Sequence, residues 1–260
     1  MTTASPSVQR DGHAHGGAKP GRLRAAVLFD LDGTLVDPAG GITGGIQHAL
    51  AAMDLPVPAD DVLNAMIGPK LADALVSILG VPAEKVEGTI AVYRQWYASQ
   101  GMAMSRVYPG ITELLKQLKH DGVSLAVATQ KPEPLAKKLL AYHGLDGFFH
   151  VIRGSHADET LKPGDAEYRS DKTEIIAAAL ANMPGNTPHG NRAAIMVGDR
   201  HQDVNGARSN GLDCIGVAWG FASDGELEAA GVVAVVHSTD ELAQVLASSD
   251  ALGESVHGVV

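Results

Sequence analysis

The sequence predicts an α/β fold built on a mostly parallel sheet, with a helical segment inserted after the first strand. Three observations carry that expectation. Short apolar runs alternate with helical patterns from residue 24 to about 247. The first run, Ala25-Ala26-Val27-Leu28-Phe29, ends in Asp30-Leu31-Asp32-Gly33-Thr34, so an apolar strand delivers two acids to its carboxyl end. Residues 38–107 then form a connection much longer than a normal crossover, with helical patterns of its own.

Strands are expected at about 24–30, 123–128, 148–152, 193–198, 213–217 and 232–236. In the insertion, helices are expected at about 41–53, 59–66, 69–79 and 83–100, punctuated by Pro56, Pro58, Gly68-Pro69 and Gly80-Val81-Pro82. Ile90, Tyr93, Trp96 and Tyr97 recur at helical spacing and read as the core of that small unit. A further helix is expected from Ile111 to His120. Residues 1–22, rich in Gly, Ser, His and Pro, read as a disordered arm, and 249–260 as a loose tail.

Composition narrows the partners. The 260 residues carry 20 Lys and Arg against 30 Asp and Glu, a net charge of −10, with no basic run to neutralise a phosphate backbone. A nucleic acid polymer is therefore not expected. The single cysteine, Cys214, sits in an apolar run and excludes a disulfide framework or a cysteine metal site. No apolar run approaches the ~20 residues of a spanning helix, and no signal-peptide pattern opens the chain. A cytoplasmic protein without a membrane partner is the expectation.

Side chains alternate along a strand, so Asp30 and Asp32 start on one face, and Gly33-Thr34 lets the backbone turn away. Like charges so close need a cation, a shared proton or different tasks. On the pair alone, a solvated Asp-Gly turn explains the residues equally well. Other strand ends add to it. Ser124–Ala128 leads into Thr129-Gln130, a hydroxyl placed either to hold a phosphate oxygen or to cap the next helix. Ala193–Val197 leads into Gly198-Asp199, with Asp203 four residues on at a helix start. In an open parallel sheet these ends share one crevice, so Asp30, Asp32 and Asp199 can bring oxygen ligands to one hard cation, Mg2+ being the natural candidate. A fixed positive charge is also needed, and Lys162 and Lys172 compete for it. Lys172 is favoured because Ser170-Asp171 marks a helix start there, whereas Lys162 lies in a polar stretch.

The ordered set Asp30-Leu31-Asp32-Gly33-Thr34-Leu35, Thr129, Lys172 and Gly198-Asp199 with Asp203 resembles the four motifs of the haloacid dehalogenase superfamily. The insertion and the stretch Gly216–Phe221 are similar to its phosphoglycolate-phosphatase-like branch. The motif around Thr129 departs from the usual pattern, reading Gln130-Lys131 where Asn is frequent.

The resemblance implies a Rossmann-like, doubly wound core over residues 23–37 and 108–248, and an α-helical cap over 38–107 with hinges at Val36-Asp37-Pro38 and Val107–Gly110. It implies that Asp30 attacks phosphorus and forms an aspartyl-phosphate, and that Asp32 protonates the leaving oxygen and then activates water. Mg2+ would be held by Asp30, the backbone carbonyl of Asp32, and Asp199, with Asp203 orienting water or ligands behind them. Thr129, Gln130 and Lys172 would hold the phosphoryl oxygens, and Lys70 would reach from the cap to a substrate carboxylate or second phosphate.

The implied activity is Mg2+-dependent hydrolysis of a small phosphate monoester, phosphoglycolate phosphatase-like. A 5'-nucleotidase, a phosphotyrosine or sugar-phosphate phosphatase and a phosphomutase are the alternatives. A receiver-like phosphorylation switch shares the clustered acids, Thr and Lys, but has no such insertion and no use for Asp32.

Overall fold

The computed structural model describes residues 26–156, 165, 168–169, 171–184 and 194–248. The arm 1–22, the tail 249–260 and Lys162 lie outside the described residues.

The chain opens with β1 (Ala26–Phe29) and a short β2 (Val36–Asp37). Four helices follow, α1 (Gly41–Ala52), α2 (Asp60–Asn64), α3 (Leu71–Ser77) and α4 (Ala83–Trp96). A π-helical turn (Tyr97–Gly101), a single turn α5 (Met102–Met104) and β3 (Arg106–Val107) close the insertion. The remainder alternates as expected: α6 (Ile111–His120), β4 (Ser124–Pro132), α7 (Glu133–Tyr142), β5 (Val151–Ser155), α8 (Lys172–Ala181), β6 (Ala194–Gly198), α9 (His201–Ser209), β7 (Asp213–Val217), α10 (Glu226–Ala230), β8 (Ala234–Val236) and α11 (Thr239–Ala247).

Six strands form one sheet in the order β5-β4-β1-β6-β7-β8, every pair parallel. Such a sheet is buried on both faces, which is why its strands read as continuous apolar runs. Val27 and Phe29 point into a layer with Ile111, Leu115, Leu139 and Leu242. Leu28 points into the opposite layer, with Ile175, Ile176 and Val204. The chain runs from β1 out to β5 and later returns to β6 on the other side of β1, so the strand order reverses beside β1. Crevices form at the carboxyl ends of strands at such a switch. Phe29 is in register with both Val127 and Val197, so the ends of β1, β4 and β6 lie level.

The structure moves some expected boundaries. β4 runs on to Pro132, with its pairing to β5 irregular between Ala128 and Pro132, so Thr129, Gln130 and Lys131 leave the regular ladder there. β5 begins at Val151, later than expected. The expected helix 83–100 is α-helical only to Trp96, and a π-turn then brings Gly101 so close to Gly41 that a Cβ on Gly41 would overlap the Gly101 carbonyl.

The insertion has its own apolar cluster, drawn from Ile46, Leu50, Leu63, Leu75, Ile90 and Tyr97 among others. Gly45 lets α1 approach the Trp96 and Tyr93 rings, where a Cβ would come within 2.9 Å. Ile90, Tyr93 and Tyr97 are buried, whereas Trp96 is only partly covered and stacks against His48. The two chain passages between insertion and sheet pair as an antiparallel ribbon, Val36 opposite Val107 and Asp37 opposite Arg106.

Candidate active site

Asp30 follows β1 directly and is held by its own backbone, its N–H donating to the Val197 carbonyl at 2.9 Å. Gly33 then turns the chain at φ +89°, and a Cβ there would overlap the Asp199 carboxylate. This is a left-handed position that glycine adopts without strain. The turn delivers Thr34, whose hydroxyl donates to Asp199 Oδ1 at 3.1 Å. The Phe221 N–H donates to Asp199 Oδ2 at 2.9 Å. Gly220 packs on the same residue so closely that a Cβ would overlap it.

Three carboxylates meet here. Asp30, Asp199 and Asp203 are buried, and each offers an oxygen within 4.8 Å of the others. Asp203 therefore joins the cluster directly, while the Asp32 carboxylate is engaged elsewhere. Lys172 supplies the facing charge: its Nζ lies 2.7 Å from Asp30 Oδ1 and 2.7 Å from Asp203 Oδ1, and donates to the Ala128 carbonyl at 2.9 Å. Gly206 leaves room for the lysine stem. Of the two lysines weighed, Lys172 is the one the described structure brings to Asp30.

Burial and two like charges, Asp30 and Asp203, hold the Asp199 carboxyl well above the usual range. Burial also pushes Asp203 up to about 6, although Lys172 opposes it. The ammonium of Lys172 is held above its ordinary value because Asp203 and Asp30 outweigh burial, which on its own would lower it. An all-oxygen, acid-rich, enclosed donor set of this kind fits a hard divalent cation, which would relieve the repulsion that raises Asp199.

Asp32 lies beside this cluster in a different setting. One of its oxygens accepts from the Lys131 ammonium at 2.8 Å, and the other is buried with no hydrogen-bond partner among the described residues. Burial raises its carboxyl, and Lys131 only partly offsets that. Lys131 sits 4.6 Å over the Tyr97 ring of the insertion, a cation–π distance. This lysine was noted in the sequence only as part of a departure after Thr129. A cation two residues beyond a strand-end hydroxyl, at a point where the strand leaves its ladder, was the available signal.

Thr129 is buried and its hydroxyl accepts from the Lys131 N–H at 3.3 Å. Thr129 and Gln130 line one cavity together with Asp30, Asp32 and Lys131. Lys70 lines the same cavity from the insertion. Its Nζ lies 3.4 Å from His156 Nε2 and 3.3 Å from the Arg169 carbonyl, contacts that bridge insertion and core. Arg200 makes a second bridge, donating to the Ile67 carbonyl while its Nε donates to Glu226 at 2.9 Å. Burial would raise the Glu226 carboxyl, but hydrogen bonds from the His201 N–H, the Arg200 and His201 side chains and the Ser223 N–H outweigh it and hold Glu226 down at about 2. No spacing in the sequence marks His156, Arg200 or Glu226 as neighbours of Lys70 or Ile67.

The profile of the haloacid dehalogenase-like hydrolase family matches residues 27–217. The tyrosine-protein kinase PtkA of Mycobacterium tuberculosis is 37% identical over 232 residues, 88% of this chain and 75% of that protein. A 5'-nucleotidase of Pseudomonas aeruginosa is 37% identical over 203 residues, 78% and 86% of the two chains. A phosphoglycolate phosphatase of Caulobacter vibrioides is 33% identical over 221 residues, 82% and 87%. In three dimensions, the crystal structure of a predicted phosphatase from Clostridium acetobutylicum superposes with a TM-score of 0.76 at 37% identity, covering 86% of this chain and 99% of the other. The strand-end acids, the parallel sheet and these relatives agree: the chain belongs to the haloacid dehalogenase-like hydrolase family.

Proposed function

We propose that the protein is a Mg2+-dependent phosphatase of small phosphate monoesters, acting through an aspartyl-phosphate on Asp30. The observation that carries this reading is Asp30 held 2.7 Å from Lys172 within a buried carboxylate cluster. Asp30, the backbone carbonyl of Asp32, and Asp199 would hold the cation, with Asp203 behind or within that set. When bound, the cation neutralises the repulsion between an anionic nucleophile and an anionic ester.

This chain's own residues supply the other parts. The Asp30 carboxylate attacks phosphorus as the ester oxygen departs, which splits one difficult displacement into two easier ones. Asp32, with a carboxyl raised by burial, gives its proton to the departing oxygen and then, as a carboxylate, takes one from the water that cleaves the aspartyl-phosphate. Thr129, Gln130 and Lys172 hold and balance the phosphoryl oxygens. The helical insertion, residues 38–107, acts as a cap that excludes bulk water, with the β2–β3 ribbon as its hinge. Among the described residues no helix is long and apolar enough to cross a membrane.

The relative named as a tyrosine kinase supports a second reading, in which the aspartyl-phosphate passes to an acceptor hydroxyl instead of water. A phosphomutase would use the same step. Acid-quenched mixtures with labelled ester decide among them. Label on Asp30 that chases to inorganic phosphate, with turnover abolished by EDTA and restored by Mg2+, is the expected result. Label that stays on the enzyme until an alcohol or tyrosine acceptor is added would overturn hydrolysis in favour of transfer.

A further inference from the structure

We infer that the cavity selects a phosphate ester whose leaving group carries a ring and a second anionic group received by Lys70. The inference rests on the phosphatase reading and specifies its substrate class.

Three features of the cavity point this way. Its volume is about 340 Å3, within the ~300–1,000 Å3 range of small-molecule sites, so a phosphoryl group on a two-carbon acid would fill only a small part of it. Part of the lining is apolar and aromatic: Ile42, Met66, Ile90 and Leu135, with the Tyr93 ring among them. Such walls reward a flat or apolar leaving group and give a bare hydroxy acid nothing to bind.

The same lining carries a positive charge. Lys70 lies on this wall, with its Nζ 3.4 Å from His156 Nε2 and 3.3 Å from the Arg169 carbonyl, both at the long end of hydrogen-bond range. The Tyr168 ring, stacked on His156 with centroids 5.2 Å apart, lies 6.0 Å from the ammonium and fixes the floor beside it. Lys70, His156 and Tyr168 line the cavity that also holds Asp30, Asp32 and Thr129. A half-covered ammonium held by long contacts gains from a carboxylate or phosphate, because a bond between two charged groups at short range is stronger than the contacts it replaces.

The test uses the full chain with Mg2+ and three esters: 4-(carboxymethyl)phenyl phosphate, its neutral carboxamide, and 2-phosphoglycolate. The first two share ring, size and leaving oxygen and differ in the anion. The carboxylate is expected to exceed the carboxamide in kcat/KM by about 10-fold or more, chiefly through KM, and the carboxamide to exceed 2-phosphoglycolate. In Lys70→Met the carboxylate-to-carboxamide ratio falls toward one, and in Lys70→Arg it is largely retained. A ratio unchanged in Lys70→Met overturns the assignment of Lys70, and 2-phosphoglycolate as the best of the three overturns the ring. Failure to release phosphate from any of them overturns the phosphatase reading itself.

Discussion

The carboxylate cluster at the strand ends and the cavity wall supplied by the helical insertion are built to different standards. Asp30, Asp199, Asp203 and Lys172 are each at most 4% exposed, and backbone or side-chain partners tie them down on several sides. On the insertion's wall, Lys70 is half-covered and makes two long contacts to groups 86 and 99 residues away. The cluster is thus fixed by short segments of parallel strand, and the wall by two distant segments happening to meet. In the proposed enzyme the chemistry would sit on the part held by the sheet, and the selection of substrate on the wall held by side-chain contacts.

Substitutions sharpen that contrast, beginning with the cluster. Asp30→Asn removes the nucleophile and is expected to lower phosphate release by about 1,000-fold or more, with the far-ultraviolet circular dichroism unchanged. Wild-type turnover in this variant would place the nucleophile elsewhere.

Lys172→Met leaves Asp30 and Asp203 facing each other without a counter-charge. Losing one partner of a buried pair costs about 3–5 kcal/mol, so the urea midpoint should fall by a corresponding amount. The lysine's pKa is raised on folding, so its contribution is complete below the unfolded value of ~10.4 and fades only as pH rises above it. The gap between wild type and variant should therefore hold steady from pH 7 to pH 9. A gap that closes within that window would show that the pair does not hold the charge assigned to it.

Gly220→Ala pushes a methyl group into Asp199 and is expected to cost about 1–3 kcal/mol while raising the Mg2+ concentration needed for half-maximal activity. An unchanged Mg2+ requirement would remove Asp199 from the cation site.

The smallest effect belongs to the seam between the two regions. Glu226→Gln weakens the hold on Arg200, which bridges to Ile67, and should lower stability by about 1 kcal/mol at pH 7. The Glu226 carboxyl is depressed on folding, from 4.5 to about 2, so its contribution is full above about pH 4.5 and disappears as pH falls through 2. Urea midpoints at pH 7 and pH 3 should show a narrower gap at the lower pH, and an equal gap would mean that the carboxylate charge is not what matters.

How far the sequence reached follows the same division. Alternating apolar runs gave the six strands of the sheet to within a few residues, because burial on both faces leaves few polar choices along β1 or β6. The end of β4 is not legible in the sequence because an irregular stretch with Lys131 and Pro132 lacks strand periodicity yet stays beside β5. The helix 83–100 was read as one piece because a π-turn keeps helical spacing while shifting which side chains face inward. In the site, Asp30, Thr129, Lys172 and Asp199 could be named because each follows a strand end or a helix cap. Lys131 could not be paired with Asp32, since 99 residues separate them.

The sequence by itself therefore determined the parallel sheet, the insertion and the set of acids, hydroxyl and lysine carried to one edge, because local spacing and burial fix what a strand end presents. Only the tertiary structure decided that Asp203 stands beside Asp30 and Asp199, that Lys131 claims Asp32, and that Lys70 meets His156. Those pairings depend on where loops and the insertion come to rest against the sheet, and no residue spacing along the chain encodes a distance between segments packed only by their side chains.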